Sequence, residues 1–373
     1  MKICIIAGRY FKSEDGIGRY TSNLLNYIKV IDNKTKLKVV SYDNSSKTSS
    51  CKIINTSIVP IKIKKLLNPI ITELNYFSRF NKNRTLLVDK LRGINAQIYH
   101  AISPSESAAA IILNKRPLIT TFHDLIPLVS ETSYLFEEYY CKYYCNLAKK
   151  SDIILVNSKN TKKDLTQILN IPDYKIKVIY PGIDTKKFYP IQKKNKVDKC
   201  ILYLGGLLKR KGVYEILYAF DKLVKIRRDV KLLIGGSGVE FYNLQEEVNR
   251  LKINEFVNFL GFIDEKKLVD YYHLADLFIY PSKYEGFGFT PLEAMTCGVP
   301  VLTSDSSSIP EVVGDAAIKV DPNNIEELCS KMNLILDDSE LQDKMRRKGL
   351  IQAKKYSWEK CASETLKVYK SLI

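Results

Sequence analysis

The chain has 373 residues, of which 45% are hydrophobic and 27% charged. That balance excludes wholesale disorder and leaves room for two or three domains, and no apolar run approaches the roughly 18 residues that span a bilayer. The formal charge is +17 and uneven, because residues 1–120 hold 20 Lys+Arg against 7 Asp+Glu; such a surplus suits nucleic acid, an acidic membrane surface or a phosphorylated ligand, and a lysine-rich composition alone would also produce it.

In chain order, Lys2–Ala7 reads as a buried strand, with a single basic residue ahead of a short apolar run and no cleavage site. Tyr20, Leu24, Leu25 and Ile28 recur at helical spacing, and Lys36–Tyr42 returns as a strand. Further strands are expected at Ile98–His100, Leu118–Phe122, Ile153–Asn157 and Ile176–Tyr180, with helices at Tyr134–Lys149 and Lys159–Leu169. The lysine-rich stretch Asp184–Lys199 reads as an interdomain linker. A second series follows: strands at Cys200–Leu204, Val230–Ile234, Phe256–Leu260, Leu277–Tyr280 and Pro300–Thr303, a helix at Val213–Ile226, and three helices from Ile325 onward. The alternation predicts two α/β domains with parallel sheets, whose ligands belong in loops at the carboxyl ends of the strands. The eight cysteines form no CxxC pair, so reduced, buried thiols of a cytoplasmic protein are expected.

Four of these loops stand out as candidate sites, although a plain tight turn would look like the first of them. In GIGRY (16–20), Gly16 and Gly18 allow close backbone approach ahead of a helix N-terminus, yet Thr21 breaks the dinucleotide fingerprint. In GGLLKRKG (205–212), three consecutive cations open a helix whose dipole already favours an anion, which a diphosphate would resolve; a solvated basic loop is the plain alternative. In EGFGFTPLE (285–293), Thr290 reads as a helix N-cap, Pro291 as the first helical residue and Glu293 as the partner in a capping box. That leaves Glu285 and the two glycines unexplained; a carboxylate there suits sugar hydroxyls. His123 and Asp124 end a strand, where the acidic neighbour would tune the imidazole; His100 also ends a strand, and His273 reads as packing or surface. There is no Asp-x-Asp metal clamp, no P-loop and no GxSxG elbow.

Together, in this order and at these separations, the loops resemble the retaining glycosyltransferases of family 4 over essentially the whole chain. The most specific block is ADLFIYPSKYEGFGFTPLEAMTCGVP (275–300), which contains the family's Glu-x7-Glu as Glu285 and Glu293; TTFHDLIP (120–127) and PEVVGDAA (310–317) support it. The HDLIP and GIGRY pieces are most similar to bacterial mannosyltransferase-type members that build surface polysaccharides. The resemblance implies the GT-B fold, two Rossmann-like α/β domains facing each other across a cleft. It implies residues 1–185 as an acceptor-binding domain, 186–355 as a nucleotide-sugar-binding domain, and 356–373 as a helix packing back toward the first.

By the same resemblance, Lys211 and Arg210 would bind the donor diphosphate, and Gly16 and Gly18 would let the first domain close over it. Glu293 would hold the ribose hydroxyls and Glu285 would orient the donor sugar. The backbone of Gly286, Phe287, Gly288 and Phe289 would contact sugar and phosphate, with Thr290 in the same donor loop. His123 would touch the transferring sugar or the acceptor, and Ile263, in the loop after a strand, would line the base pocket. Gly206 departs from the family, where many members carry an arginine, which leaves phosphate neutralisation to Lys211, Arg210 and Arg19. No metal or other cofactor is expected; the donor is a nucleotide sugar, GDP-mannose in the mannosyltransferase subgroup.

The acceptor is less determined by sequence. Residues 61–92 hold eight basic and two acidic side chains interleaved with apolar ones, which suits an anionic membrane surface and a lipid-linked saccharide acceptor; a helix pair with a solvated basic face would look the same. The expectation is a cytoplasmic hexosyltransferase, peripheral on the inner face of the cytoplasmic membrane, with no nucleic-acid partner. A sugar-nucleotide epimerase or hydrolase of the same fold, a basic nucleic-acid-binding protein and a non-catalytic binding protein are the alternatives.

Overall fold

The computed structural model describes residues 1–10, 15–41, 84–130, 135–191 and 198–373, with side chains omitted at 135–137. The basic stretch 61–83 lies outside the described residues. Two six-stranded parallel sheets form the frame. The first contains β1 (Lys2–Gly8), β2 (Lys36–Ser41), β3 (Ile98–Ala101), β4 (Leu118–Phe122), β5 (Ile153–Val156) and β6 (Ile176–Val178), in the order β2-β1-β3-β4-β5-β6. The second contains β7 (Lys199–Leu204), β8 (Val230–Gly235), β9 (Val257–Gly261), β10 (Leu277–Tyr280), β11 (Val301–Ser304) and β12 (Ile318–Val320), in the order β12-β11-β10-β7-β8-β9.

Central strands are buried on both faces, so they read as unbroken apolar runs: β3, β4 and β10 have no exposed residue. The amphipathic helices cover the faces. Val213–Ile226 buries Ile216, Leu217, Phe220 and Leu223 on one stripe. Three elements carry no periodic signal. The helix Pro104–Ile112 is Ala-rich and buries five consecutive residues, Glu106 to Ala110; β12 has only three residues; and Ile309–Val313 is a single turn.

The tail is three helices: Ile325–Asp337, Ser339–Ala353 and Trp358–Lys370. The third is capped by Ser357, whose side chain accepts from Lys360 N–H, and it leaves the second sheet altogether. Trp358, Cys361, Leu366 and Tyr369 are buried with Ile3, Tyr20, Leu24 and Ile28 in the core of the first sheet, each large side chain contributing on the order of 2 kcal/mol over exposure. Tyr369 OH meets His100 Nδ1 at 2.6 Å. The chain therefore passes between the two sheets twice, and the passages touch: Ile183 N–H donates to Tyr356 O at 3.2 Å. An added Cβ at Gly182 would sit 2.1 Å from the backbone nitrogen of Trp358. Among the described residues no helix is long and apolar enough to cross a membrane.

Candidate active site

In the second sheet the strand order reverses between β7 and β10, and open parallel sheets place ligands at such a switch point. The two loops that leave it are 205–212 and 281–288. They press together because glycines occupy the contact. Gly212, at φ +74, would drive a Cβ to 2.3 Å from Pro281 O, so no other residue fits there without moving the loop.

That contact delivers Lys211 to Glu285. Both are buried, and Lys211 Nζ donates to Glu285 Oε1 and, at 2.8 Å, to Tyr280 OH. Glu285 Oε1 also accepts from Tyr280 OH at 2.9 Å, Ser282 Oγ at 2.5 Å and Arg210 Nη1 at 3.5 Å. Arg210 Nη1 is tied as well to Tyr284 O at 2.9 Å. Burial pushes the Glu285 carboxyl up, but Lys211 and Arg210 outweigh it and hold it below its ordinary value. Burial lowers the Lys211 pKa, against the pull of Glu285. The result is two cations and one anion, locked by hydroxyls, at the mouth of the switch point.

The segment after Glu285 differs from its local reading. The helix runs Phe289–Thr296, and its N-cap is Gly288, at φ 110 and with no side-chain cap bond. Thr290 and Pro291 thus lie inside the first turn, and Glu293 closes no capping box. Its carboxylate, 1% exposed, instead accepts from Arg19 Nη1 at 2.8 Å and from Tyr272 OH at 2.8 Å. Arg19 comes from the first domain and lies over the Phe289 ring, 5.6 Å from its centroid. Arg19, Glu293, Phe289, Asp184, Phe188 and Glu265 line a cavity of about 270 Å³. Gly16 and Gly18 are also helical rather than a loop: the helix Gly16–Ile31 begins there, and Asp15 caps it by accepting from Gly18 N–H at 2.7 Å. The anion at that N-terminus is the chain's own carboxylate. Phe287 is buried against Tyr180 and Tyr356. Gly206 O accepts from Tyr203 OH at 2.9 Å, and the Ile263 side chain covers Gly235, where a Cβ would lie 2.5 Å from Ile263 Cδ1.

The first domain presents His123. Its Nε2 faces Ile102 O at 2.9 Å, so Nε2 carries the proton, and Nδ1 accepts from Asn157 Nδ2 at 2.7 Å. Burial lowers its pKa to about 4, so the ring is neutral at physiological pH. Asp124 does not tune it, because the Asp124 carboxylate turns to Ile126 N–H at 3.0 Å. The carbonyl of His123 faces the second domain: a Cβ on Gly286 would lie 2.2 Å from it. Behind His123 opens a cavity of about 240 Å³.

The structure thus gathers Lys211, Arg210 and Glu285 at one point, Arg19 and Glu293 at a second, and His123 with Gly286 at the contact between domains. Tyr280, Ser282, Tyr272 and Asn157 complete these clusters without having been singled out from sequence. Tyr280-Pro-Ser282 at a strand end was the one available signal; the others meet their partners only through the fold. A further contact between the domains is made where Tyr180 OH and the backbone N–H groups of Lys159 and Asn160 converge on Glu311 of the second domain, at 2.9, 3.0 and 3.1 Å.

A family model described as Glycosyltransferase Family 4 matches residues 15–187, and one described as Glycosyl transferases group 1 matches residues 184–351. The O-antigen chain mannosyltransferase B of Escherichia coli is 31% identical over 273 residues, covering 68% of this chain and 70% of that protein. The serotype-specific mannosyltransferase WbdA of Escherichia coli is 28% identical over 258 residues, 64% of this chain but 32% of its own longer length. The Anabaena protein HepE, solved in complex with UDP and glucose, superposes over 100% of both chains with a TM-score of 0.74 at 17% identity.

Proposed function

The chain belongs to the GT-B glycosyltransferases of family 4, and from that membership we propose that it moves a hexose, mannose favoured, from a nucleoside-diphosphate sugar to a saccharide or lipid-linked saccharide in surface-glycan synthesis. Retention of configuration, independence from metal, GDP-mannose as the donor and a peripheral place on the inner membrane face belong to the same proposal. The mannosyltransferase relatives support the sugar, and the basic stretch 61–92 supports the membrane contact.

The observation that carries the reading is the buried Lys211 cation, with Arg210 beside it, at the carboxyl ends of β7 and β10. Cleavage of the sugar–phosphate bond leaves charge on the diphosphate and cationic character on the ring. Fixed, desolvated charge aimed where charge develops is usually the largest single contribution to lowering such a barrier. Side-chain cations can do this where a metal would otherwise serve. Before the donor arrives, Glu285 compensates both cations, which keeps their burial tolerable. Once a diphosphate takes over Lys211 and Arg210, Glu285 is released to accept from sugar hydroxyls. Glu293, freed from Arg19, would accept from the ribose in the same way, and Arg19 would turn to phosphate. His123, neutral and held at both ring nitrogens, contributes position rather than proton transfer.

Thermal stabilisation by UDP, GDP, ADP and dTDP, each with and without EDTA, tests the reading. A ligand at one hundred times its Kd adds about 2.7 kcal/mol to stability. A GDP preference insensitive to EDTA is the expected result. A response to none of the four, or one abolished by EDTA, overturns the metal-independent donor site. The glucose and UDP in HepE favour a second reading, a UDP-hexose donor, which a UDP preference would establish.

A further inference from the structure

Among the described residues, the cavity of about 240 Å³ behind His123 is lined by the first domain alone. Its wall is unlike the donor side. Tyr10, Ser103, Ser105 and Tyr144 supply hydroxyls, Arg9 supplies a cation, and Asp124 is the only carboxylate among the described lining residues. Such a mixture matches a saccharide, whose hydroxyls donate and accept in turn and whose ring carbons stack on aromatic faces.

Asp124 also stands at the boundary with the other domain. A Cβ on Gly286 would come within 2.9 Å of Asp124 Cβ. Burial is the largest influence on its carboxyl and leaves the pKa raised; the Ile126 N–H bond, Arg210 and Lys211 draw it down and Glu285 pushes it up. One carboxylate therefore borders the first-domain cavity and lies within electrostatic reach of the cations assigned to the donor diphosphate. A hydroxyl group bound in the cavity and bonded to Asp124 would be the one presented to the donor.

Resting on the glycosyl-transfer reading, we infer that Asp124 is a catalytic carboxylate that binds the attacking hydroxyl of a saccharide seated in this cavity. In the transfer step the acceptor oxygen forms the new bond to the sugar's anomeric carbon. The bond from that carbon to the diphosphate oxygen breaks, its electron pair stays on the diphosphate, and the hydroxyl proton passes to Asp124.

The competing role is structural, since Asp124 Oδ1 accepts from Ile126 N–H and shapes the turn into the helix Ile126–Val129. Asn retains that acceptor and lacks the charge; Ala loses both. Wild type, D124N and D124A are therefore assayed with GDP-mannose and UDP-glucose against octyl mannoside, glucoside, galactoside and N-acetylglucosaminide, alongside Kd for the two nucleoside diphosphates and melting temperature. Expected for D124N is a loss of transfer of about 100-fold or more, with unchanged melting and a Kd within about threefold of wild type. D124N transferring within about threefold of wild type, with D124A impaired, overturns the proposal and leaves Asp124 a turn-former. Loss of diphosphate binding in D124N also overturns it, because the residue would then serve the donor. Wild type that hydrolyses a donor but glycosylates none of the four probes overturns the cavity as a sugar site. Wild type that consumes neither donor removes the glycosyl-transfer reading itself, and Asp124's role falls with it.

Discussion

The two halves of the cleft are built from opposite materials. The second domain offers buried charge, Lys211 and Arg210 against Glu285, with Tyr280 and Ser282 donating to the same carboxylate oxygen. The first domain offers a neutral imidazole held by Asn157 and Ile102, and a hydroxyl-rich hollow. Each material suits one substrate. A diphosphate needs compensation of a fixed charge, which a few cations in a rigid loop supply for any sugar it carries. An acceptor is uncharged at its reacting hydroxyl and must be recognised by shape and by hydrogen bonds of both polarities. On the proposed reading, charge is concentrated where every turnover repeats the same event, and hydrogen-bonding variety where substrates differ.

The most severe way to break the comparison is Lys211→Ala. It removes the cation from a buried pair and leaves Glu285 without its nearest partner, a change that costs on the order of 3–5 kcal/mol. Turnover of a nucleotide sugar should fall by about 1,000-fold, read by diphosphate release, with circular dichroism and melting to separate lost chemistry from lost fold. Activity near wild type would mean that the charged half does not hold the diphosphate. Gly286→Ala acts on the contact between the halves. Its methyl would lie 2.2 Å from the His123 carbonyl oxygen, so the contact must shift, and parting of the domains is the expected way. A loss of about 100-fold, the order that small misplacements of reacting groups produce, with a larger radius of gyration by small-angle scattering, is expected. An unchanged radius would show that the contact yields locally.

The smallest effect sharpens the claim that the first-domain imidazole is neutral. His123 titrates near 4 in the fold because burial disfavours its charged form, against about 6.5 in an unfolded chain. Between those values the unfolded state binds the extra proton, so stability rises with pH across the window from about 4 to 6.5. His100, lowered by burial to about 3, adds to the same slope. Urea titrations at pH 4.5, 5.5 and 7 should show this rise, and His123→Asn should flatten part of it. An equal slope in the variant would place a charged imidazole in the site.

The frame was legible because buried parallel strands are written as continuous apolar runs. The two sheets follow from stretches such as Leu118–Phe122 and Leu277–Tyr280, and family membership from the spacing of Glu285 and Glu293. Local rules failed where a partner from the other domain took over. Glu293 looked like a capping-box residue because Thr290 stands three positions before it, yet Gly288 caps the helix and Arg19, 274 positions earlier in sequence, holds the carboxylate. Asp124 looked like the tuner of His123 because they are adjacent, but adjacent residues at a strand end point apart. Asn157 could not be singled out, since nothing in a strand-end asparagine announces the ring it will meet.

The return of Trp358–Lys370 to the first sheet has a consequence in time. On a ribosome, chains emerge at roughly 5–20 residues per second. Residues 1–185 are therefore complete some 10–40 s, by the same rates, before the helix that seals Ile3, Tyr20 and Leu24 exists. For that interval the face that will receive Trp358 and Tyr369 lacks the helix that covers it among the described residues, and a chaperone or a neighbouring nascent chain can reach it. The second domain, whose core draws on Ile183–Tyr356, has no such wait. The part of the molecule made first is the part finished last.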